Sequence, residues 1–392
     1  MTPRTSRRRL LAGVAGVGAA SLAGCLGSGD DEVPAAAASG DETGTATATT
    51  EPAPTEPPSE TPSETSTEAD PAAAGLPTAD ARLPVRYDFE TLRDRTRSGG
   101  PPKDGIPSVD EPNFVTVAEA ERWLVREDIV FGLVAGDEVK AYPQKVLVWH
   151  EICNDVVDGT PLSVTYCPLT GTALGFERGE TTFGVSGNLV NSNLVMYDRA
   201  TDSRWPQVLA TAVEGPFRGA SLREVPLVWT TWERWTAAHP DTLVLSTDTG
   251  YARDYSRDPY GSYTPPSGYY TSDRTLFAPL TEDDRLGRKD VVVGVRTADG
   301  VAAFSKESLR ERGLLTGDVG DVPYLLAYDG ALDAGYAYRN PEGAAFEAVA
   351  DGVRGPDGTV HAASALPLAR TMAFDAMWFA FAGFYPGTAL YE

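Results

Sequence analysis

The sequence predicts a β-rich α+β fold made of two similar internal repeats, each a small and mostly antiparallel sheet with short helices and a closing helix. Two observations support this fold class. Short apolar runs rich in branched residues are separated by Gly/Asp turns, a pattern typical of β-hairpins. Residues 128–142 also resemble residues 290–304, and the similarity continues without a gap at an offset of 162 residues (290 − 128).

Each copy is predicted to run through a strand pair, a short helix, a further hairpin, more strands and a helix that closes the unit. The short helix is clearest at residues 305–312, where Ser305 is a favourable N-cap. Both copies end alike, because residues 232–242 resemble residues 378–388. The repeat therefore covers most of the chain that is rich enough in apolar residues to fold.

Composition and the repeat divide the chain into five segments. Residues 1–25 are predicted to be a signal peptide. Residues 26–80 are acidic, rich in Thr, Ser, Pro and Ala and almost free of large apolar residues, so we expect a disordered stalk. The first repeat unit, with the candidate site, spans 81–246, a Tyr/Gly-rich connecting loop spans 247–275, and the second unit spans 276–392.

The N-terminus carries an export signal. Arg7 and Arg8 form a twin-arginine motif, and the apolar run over residues 11–20 that follows is too short to span a bilayer. Leu-Ala-Gly-Cys ends this segment and resembles the lipobox of exported lipoproteins, in which the cysteine is lipidated. We therefore expect export by the twin-arginine route and a lipid anchor at Cys25, on the outer face of the cytoplasmic membrane.

The charge balance is strongly acidic. The formal net charge is −23, with 56 acidic and 33 basic residues, and only five of the basic residues are lysines. An acidic, lysine-poor surface stays hydrated in concentrated salt, and this composition resembles that of proteins from halophilic archaea. It argues against nucleic acid as a partner, because phosphate binding needs a basic face.

Residues able to carry chemistry are concentrated in the first copy. Residues 149–155 read Trp-His-Glu-Ile-Cys-Asn-Asp, whereas their counterparts at 311–317 read Glu-Arg-Gly-Leu-Leu-Thr-Gly. Residues 166–172 and 328–334 share only their first tyrosine. Because the second copy folds without the His, Cys, Asn and Glu side chains, we place the candidate site in the first copy.

A hairpin brings some of these residues together. Asp158-Gly159 is a two-residue type I′ turn signal, which sets Ile152 opposite Thr165 and, if the strand continues, His150 opposite Cys167. Period-two alternation sends Cys153 and Glu151 to the other face. We therefore expect His150 and Cys167 side by side, and both cysteines free of a disulfide because their Cβ atoms point apart.

Three tryptophans recur at a spacing of three, at Trp229, Trp232 and Trp235. The spacing admits a carbohydrate-binding strip. One apolar face of a helix, packed against the core, explains it more simply.

Several motifs stand in order along the first unit: Trp149-His150-Glu151-Ile152 with Asn154-Asp155, Tyr166-Cys167-Pro168-Leu169 with Gly171-Thr172, Phe183-Gly184-Val185-Ser186-Gly187, Asn191-Ser192 with Met196-Tyr197-Asp198, Thr201, Ser203, Trp205 and Gln207, and Thr230-Thr231-Trp232 with Trp235, Pro240 and Thr242. Together they resemble the family called domain of unknown function 3179, over about residues 110–390. The resemblance implies a fold but no established activity.

The chain departs from the pattern of that family at one position. The family usually has Cys-Pro-Leu-Cys-Gly-Thr, and here Thr170 replaces the second cysteine. A dithiol redox site or a four-thiolate zinc site is therefore excluded for this chain.

The first functional hypothesis is a soft transition-metal site. His150 and Cys167 would be ligands, and Met196 a weak third ligand. His/Cys/Met ligation suits copper, zinc is the alternative metal, and export favours copper chemistry outside the cytoplasm.

Two other hypotheses stay open. In an enzyme, Cys167 would be the nucleophile and His150 its base, with Asn154 or Glu151 orienting the imidazole. In a non-catalytic surface binding or structural module, His150 would be a hydrogen-bonded core residue and Cys167 a small buried one.

Overall fold

A computed structural model describes residues 74–392. The predicted signal peptide, with Arg7, Arg8 and the lipidation site Cys25, and nearly all of the predicted stalk lie outside the described residues.

The first described residues lie against the domain. Leu76 is buried, and Thr78 forms an antiparallel bridge with Leu222. The boundary predicted at residue 80 therefore falls inside a segment that already packs on the domain.

The helices and strands are short throughout. The described chain up to residue 143 forms α1 Phe89–Asp94, β1 Arg97–Ser98, β2 Phe114–Val115, α2 Val117–Ala120, β3 Ile129–Ala135 and β4 Glu138–Pro143. The part that contains the candidate residues forms α3 Gln144–His150, β5 Ile152–Val157, β6 Thr160–Cys167, β7 Thr172–Glu177, β8 Phe183–Val190, β9 Asn193–Asp198, β10 Arg204–Pro206, β11 Glu224–Val225, β12 Val228–Thr231, α4 Trp232–Ala238 and β13 Leu243–Leu245.

A connecting segment and a second series of elements follow. The connecting segment forms β14 Gly261–Tyr263, β15 Pro266–Gly268 and a 3₁₀ turn, Tyr269–Thr271. The second series is β16 Val291–Thr297, β17 Gly300–Ser305, α5 Lys306–Arg312, β18 Leu314–Val319, β19 Val322–Asp329, β20 Ala334–Arg339, β21 Glu347–Val349, β22 Gly352–Arg354, β23 Val360–His361, β24 Ala369–Thr371, β25 Ala373–Met377, α6 Trp378–Phe384 and β26 Ala389–Tyr391.

The prediction of a β-rich fold with small, mostly antiparallel sheets is confirmed. The larger sheets have the strand orders β12-β3-β4-β13-β2, β11-β7-β6-β5, β1-β8-β9-β10, β25-β16-β17-β26 and β18-β19-β20-β24. The pairs β4–β13 and β17–β26 are parallel, and the other pairs in these sheets are antiparallel.

The two series of elements follow the same order. Each of β16, β17, α5, β18, β19 and β20 begins 162 residues after its counterpart among β3, β4, α3, β5, β6 and β7. β12 pairs antiparallel with β3 as β25 does with β16, and β13 pairs parallel with β4 as β26 does with β17. An internal repeat stays a prediction, which superposition of residues 128–178 on residues 290–340 tests.

The hairpin of β5 and β6 has the predicted turn and register. Asp158 and Gly159 both have positive φ, 47° and 74°, as a type I′ turn requires. The register sets Ile152 opposite Thr165 and Asn154 opposite Ser163. The local turn chemistry was therefore sufficient to define which residues share a face.

The two faces of this hairpin contribute to different cores. Cys153 packs with Tyr142 and Val164, whereas Cys167 packs with Ile152 and Met196. Both cysteines are buried and free, as predicted. The described residues belong to one compact unit, in which both series of elements pack together.

Membrane spans were also considered for this part of the chain. Within residues 74–392, no helix is both long and apolar enough to cross a bilayer.

Candidate functional site

The prediction that His150 faces Cys167 is wrong. His150 is the last residue of α3, and β5 begins only at Ile152. Between them Glu151 adopts a left-handed conformation, with φ 58° and ψ −28°, and its N–H caps the helix by donating to the Leu147 carbonyl at 2.7 Å. The strand register therefore begins at Ile152, one residue after Glu151, and alternation does not extend back to His150.

Both ring nitrogens of His150 are bound by protein groups. Nδ1 lies 2.7 Å from the Pro107 carbonyl oxygen, which only accepts, so Nδ1 carries the proton. In the neutral ring Nε2 is then the acceptor, and the Tyr255 hydroxyl donates to it at 2.7 Å. Burial lowers the pKa of His150, the bond to Pro107 opposes this shift, and the charge of Arg253 adds to it. His150 is therefore a neutral, fully engaged core residue.

Glu151 has an unusual environment for a carboxylate. Glu151 is 5 % exposed, and its carboxyl group has no hydrogen-bond partner among residues 74–392. Burial raises the pKa of Glu151 to about 8. A buried carboxyl group without a partner costs stability, and so does a glutamate in the left-handed region. These two costs make Glu151 a candidate for a functional rather than a structural residue.

Cys167 lies next to Glu151. It ends β6, is 1 % exposed, and its Sγ lies 3.7 Å from the Ser192 carbonyl oxygen, to which the thiol donates. Burial, and then the charge of Glu151, raise the pKa of the Cys167 thiol to about 11, while hydrogen bonds from Thr170 and from the Leu194 backbone oppose that shift. The thiol is therefore protonated at neutral pH and has a potential base beside it.

The second hairpin places its tip against this thiol. Asn191 and Ser192 join β8 to β9 and have φ of 54° and 59°, so the turn has two positive-φ residues without a glycine. The Asn191 amide holds the turn by donating to the Ala380 carbonyl at 2.9 Å. Such strain at a turn that contacts a candidate nucleophile is typical of a functional site.

A buried polar network fixes the loop between Cys167 and β7. The Asn193 amide donates to the Thr170 hydroxyl and to the Gln207 carbonyl oxygen, both at 3.0 Å. Gln207 in turn donates to Thr165 at 2.9 Å and accepts from Thr172 at 2.6 Å. Thr170, which stands where the family usually has a cysteine, is thus part of the support for Cys167.

The other two candidate residues have supporting positions. Asn154 donates to Asp110 at 2.6 Å and to the Phe183 carbonyl at 2.8 Å, so its amide joins three segments and does not orient His150. Met196 lies in β9, opposite Trp205, as a fully buried core residue.

A tyrosine-rich segment, residues 251–271, covers the site, and we call it the strap. Tyr255 donates to His150, and the Arg257 carbonyl accepts from the Trp149 indole at 3.0 Å. Asp258 accepts from the Gln144 amide at 2.8 Å. The connecting loop predicted from its tyrosine content is therefore an ordered cover on the first series of elements.

Two strap tyrosines enclose the thiol and the carboxyl group. Burial raises the pKa of Tyr260, and the charges of Glu151 and Cys167 raise it further, which places this ring beside both groups. The Tyr269 hydroxyl donates to the Leu169 carbonyl, two residues after the thiol, at 2.8 Å. Glu151, Cys167, Tyr260 and Tyr269 thus form a cluster beneath and within the strap, which we call the thiol cluster.

The first prediction concerns this cover. Tyr255→Phe removes the hydroxyl that joins the strap to His150, and we expect it to raise the rate at which iodoacetamide alkylates Cys167 severalfold, because the strap opens more often. Peptide mass spectrometry measures the rate, with buried Cys153 as the internal control. Equal rates in the wild type and the variant would show that this bond does not hold the strap closed.

Metal ligation was tested against the same geometry. No group of three or more His, Cys, Asp or Glu side chains close enough to hold a metal ion occurs in the described part of the chain. Copper or zinc binding by His150, Cys167 and Met196 stays a prediction. A metal ion would need one imidazole nitrogen of His150, and both nitrogens already have protein partners.

The sequence model of a protein family of unknown function, DUF3179, matches residues 103–388. The chain belongs to this family. No curated protein and no solved structure matches it. The match includes the thiol, the buried carboxyl group and the strap, so the thiol cluster lies wholly inside the DUF3179 domain.

Sequence reasoning named Glu151 only as an orienting residue and missed Ser192, Tyr260 and Tyr269. One signal was present for Glu151. Its counterpart 162 residues later is Gly313, which ends α5 in the same left-handed conformation with φ 72°. A glutamate at a helix C-cap position that favours glycine costs stability, and this cost indicates a functional role for the residue.

Proposed function

We propose that this DUF3179 domain is an enzyme that uses Cys167 as a nucleophile and Glu151 as its general base. The observation that carries the proposal is the carboxyl group of Glu151, buried without a hydrogen-bond partner among the described residues, beside a protonated thiol. The proposal assigns the role of base to Glu151 instead of His150.

The chemistry follows from the two pKa values. A general base works best when its pKa lies near the working pH, and the pKa of Glu151 is raised to about 8. The ionised carboxylate accepts the thiol proton as Sγ attacks an electrophilic carbon, which forms an S–C bond and leaves Glu151 protonated. The bond from that carbon to its leaving group then breaks, and the protonated carboxyl group gives its proton to the departing group. Water or another acceptor nucleophile, deprotonated by Glu151, afterwards breaks the S–C bond, and the sulfur recovers this proton.

The surroundings support such a step. Hydrogen bonds from Thr170 and from the Leu194 backbone favour the thiolate over the thiol, which stabilises negative charge on sulfur as it develops. Cys167 and Glu151 are 1 % and 5 % exposed, and their low exposure to water strengthens these interactions. His150 acts as a positioning residue, because it holds the strap through Tyr255 and does not contact the thiol.

The second prediction tests the base. Glu151→Gln keeps the size of the side chain but cannot accept a proton. At pH 8 we expect alkylation of Cys167 by iodoacetamide to be about tenfold or more slower in this variant than in the wild type, since a general base contributes ~10²-fold or more. Peptide mass spectrometry of the full-length protein gives the rate for each cysteine.

Glu138→Gln is the matched control. Glu138 is the first residue of β4 in the first series, but its side chain is 43 % exposed and it is paired with Lys140. Its rate should equal that of the wild type. If Glu151→Gln also reacts as fast as the wild type, Glu151 is not the base, and a binding or structural module explains the domain better.

The proposed location is the outer face of the cytoplasmic membrane, reached by the twin-arginine route. The third prediction is that Arg7→Lys with Arg8→Lys retains the protein inside the cell, because twin-arginine signals need both guanidinium groups. Cys25→Ser should release the folded protein into the medium. Cell fractionation at constant high salt checks both, and a Cys25→Ser protein that stays with the membrane would contradict a lipid anchor.

A further inference from the structure

A cavity lies where β12, the strap and α5 meet. Its volume is about 190 Å3, larger than the ~150 Å3 that is sufficient to hold benzene in a protein interior. Trp229 of β12 and Tyr263 of the strap line it, with ring centroids 5.4 Å apart and ring planes at 82°. Met377 adds apolar surface. The cavity therefore has a wall able to pack against C–H groups.

Charged residues line the same cavity. Lys306 is paired with Asp375, and Arg310 is paired with Asp333 at 2.7 Å. Both pairs contain one cation and one carboxylate, so the lining has no net charge. A charged ligand would have to break one of these pairs, whereas a neutral ligand can donate to the carboxylates and accept from the cations with both pairs intact.

We propose that this cavity binds a small, uncharged, polyhydroxylated molecule of about the size of one sugar ring. Such a ligand has a C–H face for Trp229 and Tyr263, and hydroxyl groups for the two ion pairs. Trp232 and Trp235, the other two tryptophans of the spaced series, are core residues of α4, so only Trp229 takes part. The inference is independent of the chemistry proposed for Cys167.

Saturation-transfer NMR on the full-length protein tests it. The probes are glucose, galactose, mannose and myo-inositol, and the charged comparators of similar size are glycine betaine and inorganic phosphate. We expect at least one of the four neutral probes to bind and to be displaced by the other neutral probes more than by the comparators. If none of the four binds, or if only a charged comparator binds, the proposal is overturned.

A variant locates the binding. Arg310→Ala removes a donor from the lining. We expect this change to weaken binding of the best neutral probe about tenfold. Arg354→Ala, which breaks the exposed pair with Glu347, is the control and should bind as the wild type does. Unchanged binding in Arg310→Ala would overturn the proposal.

Discussion

Arg296→Met is expected to destabilise the domain by about 3–5 kcal/mol, because it leaves a buried carboxylate without its cation. The Arg296 side chain is fully buried in β16, and its two terminal nitrogens donate to Glu224 of β11 at 2.8 and 2.7 Å. Its Nε donates to the Val208 carbonyl at 2.7 Å. One guanidinium group thus joins the two series of elements.

Denaturant unfolding at constant salt measures this fourth prediction. Arg296→Met combined with Glu224→Leu should recover most of the loss, since removing both charges leaves none of them unpaired. Arg354→Met, which breaks an exposed pair, should cost less than about 1 kcal/mol. If the buried and exposed variants lose the same free energy of unfolding, the Arg296–Glu224 pair does not stabilise the contact between the two series.

Glu151→Gly is expected to stabilise the fold while it abolishes the proposed chemistry. Glycine adopts the left-handed conformation of this position without steric cost, as Gly313 does at the end of α5, and the relief is on the order of 1 kcal/mol. Glu151→Gln keeps the backbone strain and removes only the charge. The comparison of the two variants therefore separates the conformational cost from the electrostatic cost.

The electrostatic part of this fifth prediction depends on pH. The folded-state pKa of Glu151 is about 8, above the ordinary value of 4.5, so its contribution to stability is fully present below pH 4.5 and is lost as the pH rises through 8. Between pH 5 and pH 8 the wild type should lose about 3 kcal/mol of unfolding free energy relative to Glu151→Gln. Parallel stability curves of the two proteins would contradict a buried, ionising Glu151.

The hairpin register could be predicted from the sequence because it depends on local chemistry. Asp158-Gly159 specifies the turn, and period-two alternation then assigns every residue from Ile152 to Val157 to a face. The two free cysteines followed from the same argument. The thiol cluster around Cys167 could not be predicted in this way, since alternation holds only within a strand.

The error at His150 has a specific cause. A helix that ends one residue before a strand leaves a single residue to change direction, and Glu151 does so in the left-handed region. That residue turns its carboxyl group toward Cys167 and His150 toward Pro107 and the strap. Ser192, Tyr260 and Tyr269 reach the site from segments 25 or more residues away in the chain, and no local pattern records such contacts.

The pH dependence of Cys167 alkylation tests the proposed pair most directly. In the wild type the rate should rise through an inflection near pH 8, where Glu151 ionises, and rise again only as the thiol itself approaches its pKa of about 11. In Glu151→Gln the first inflection should be absent and the second should remain. The same profile with and without Glu151, or a wild-type profile without an inflection near pH 8, would contradict Glu151 as the base for Cys167.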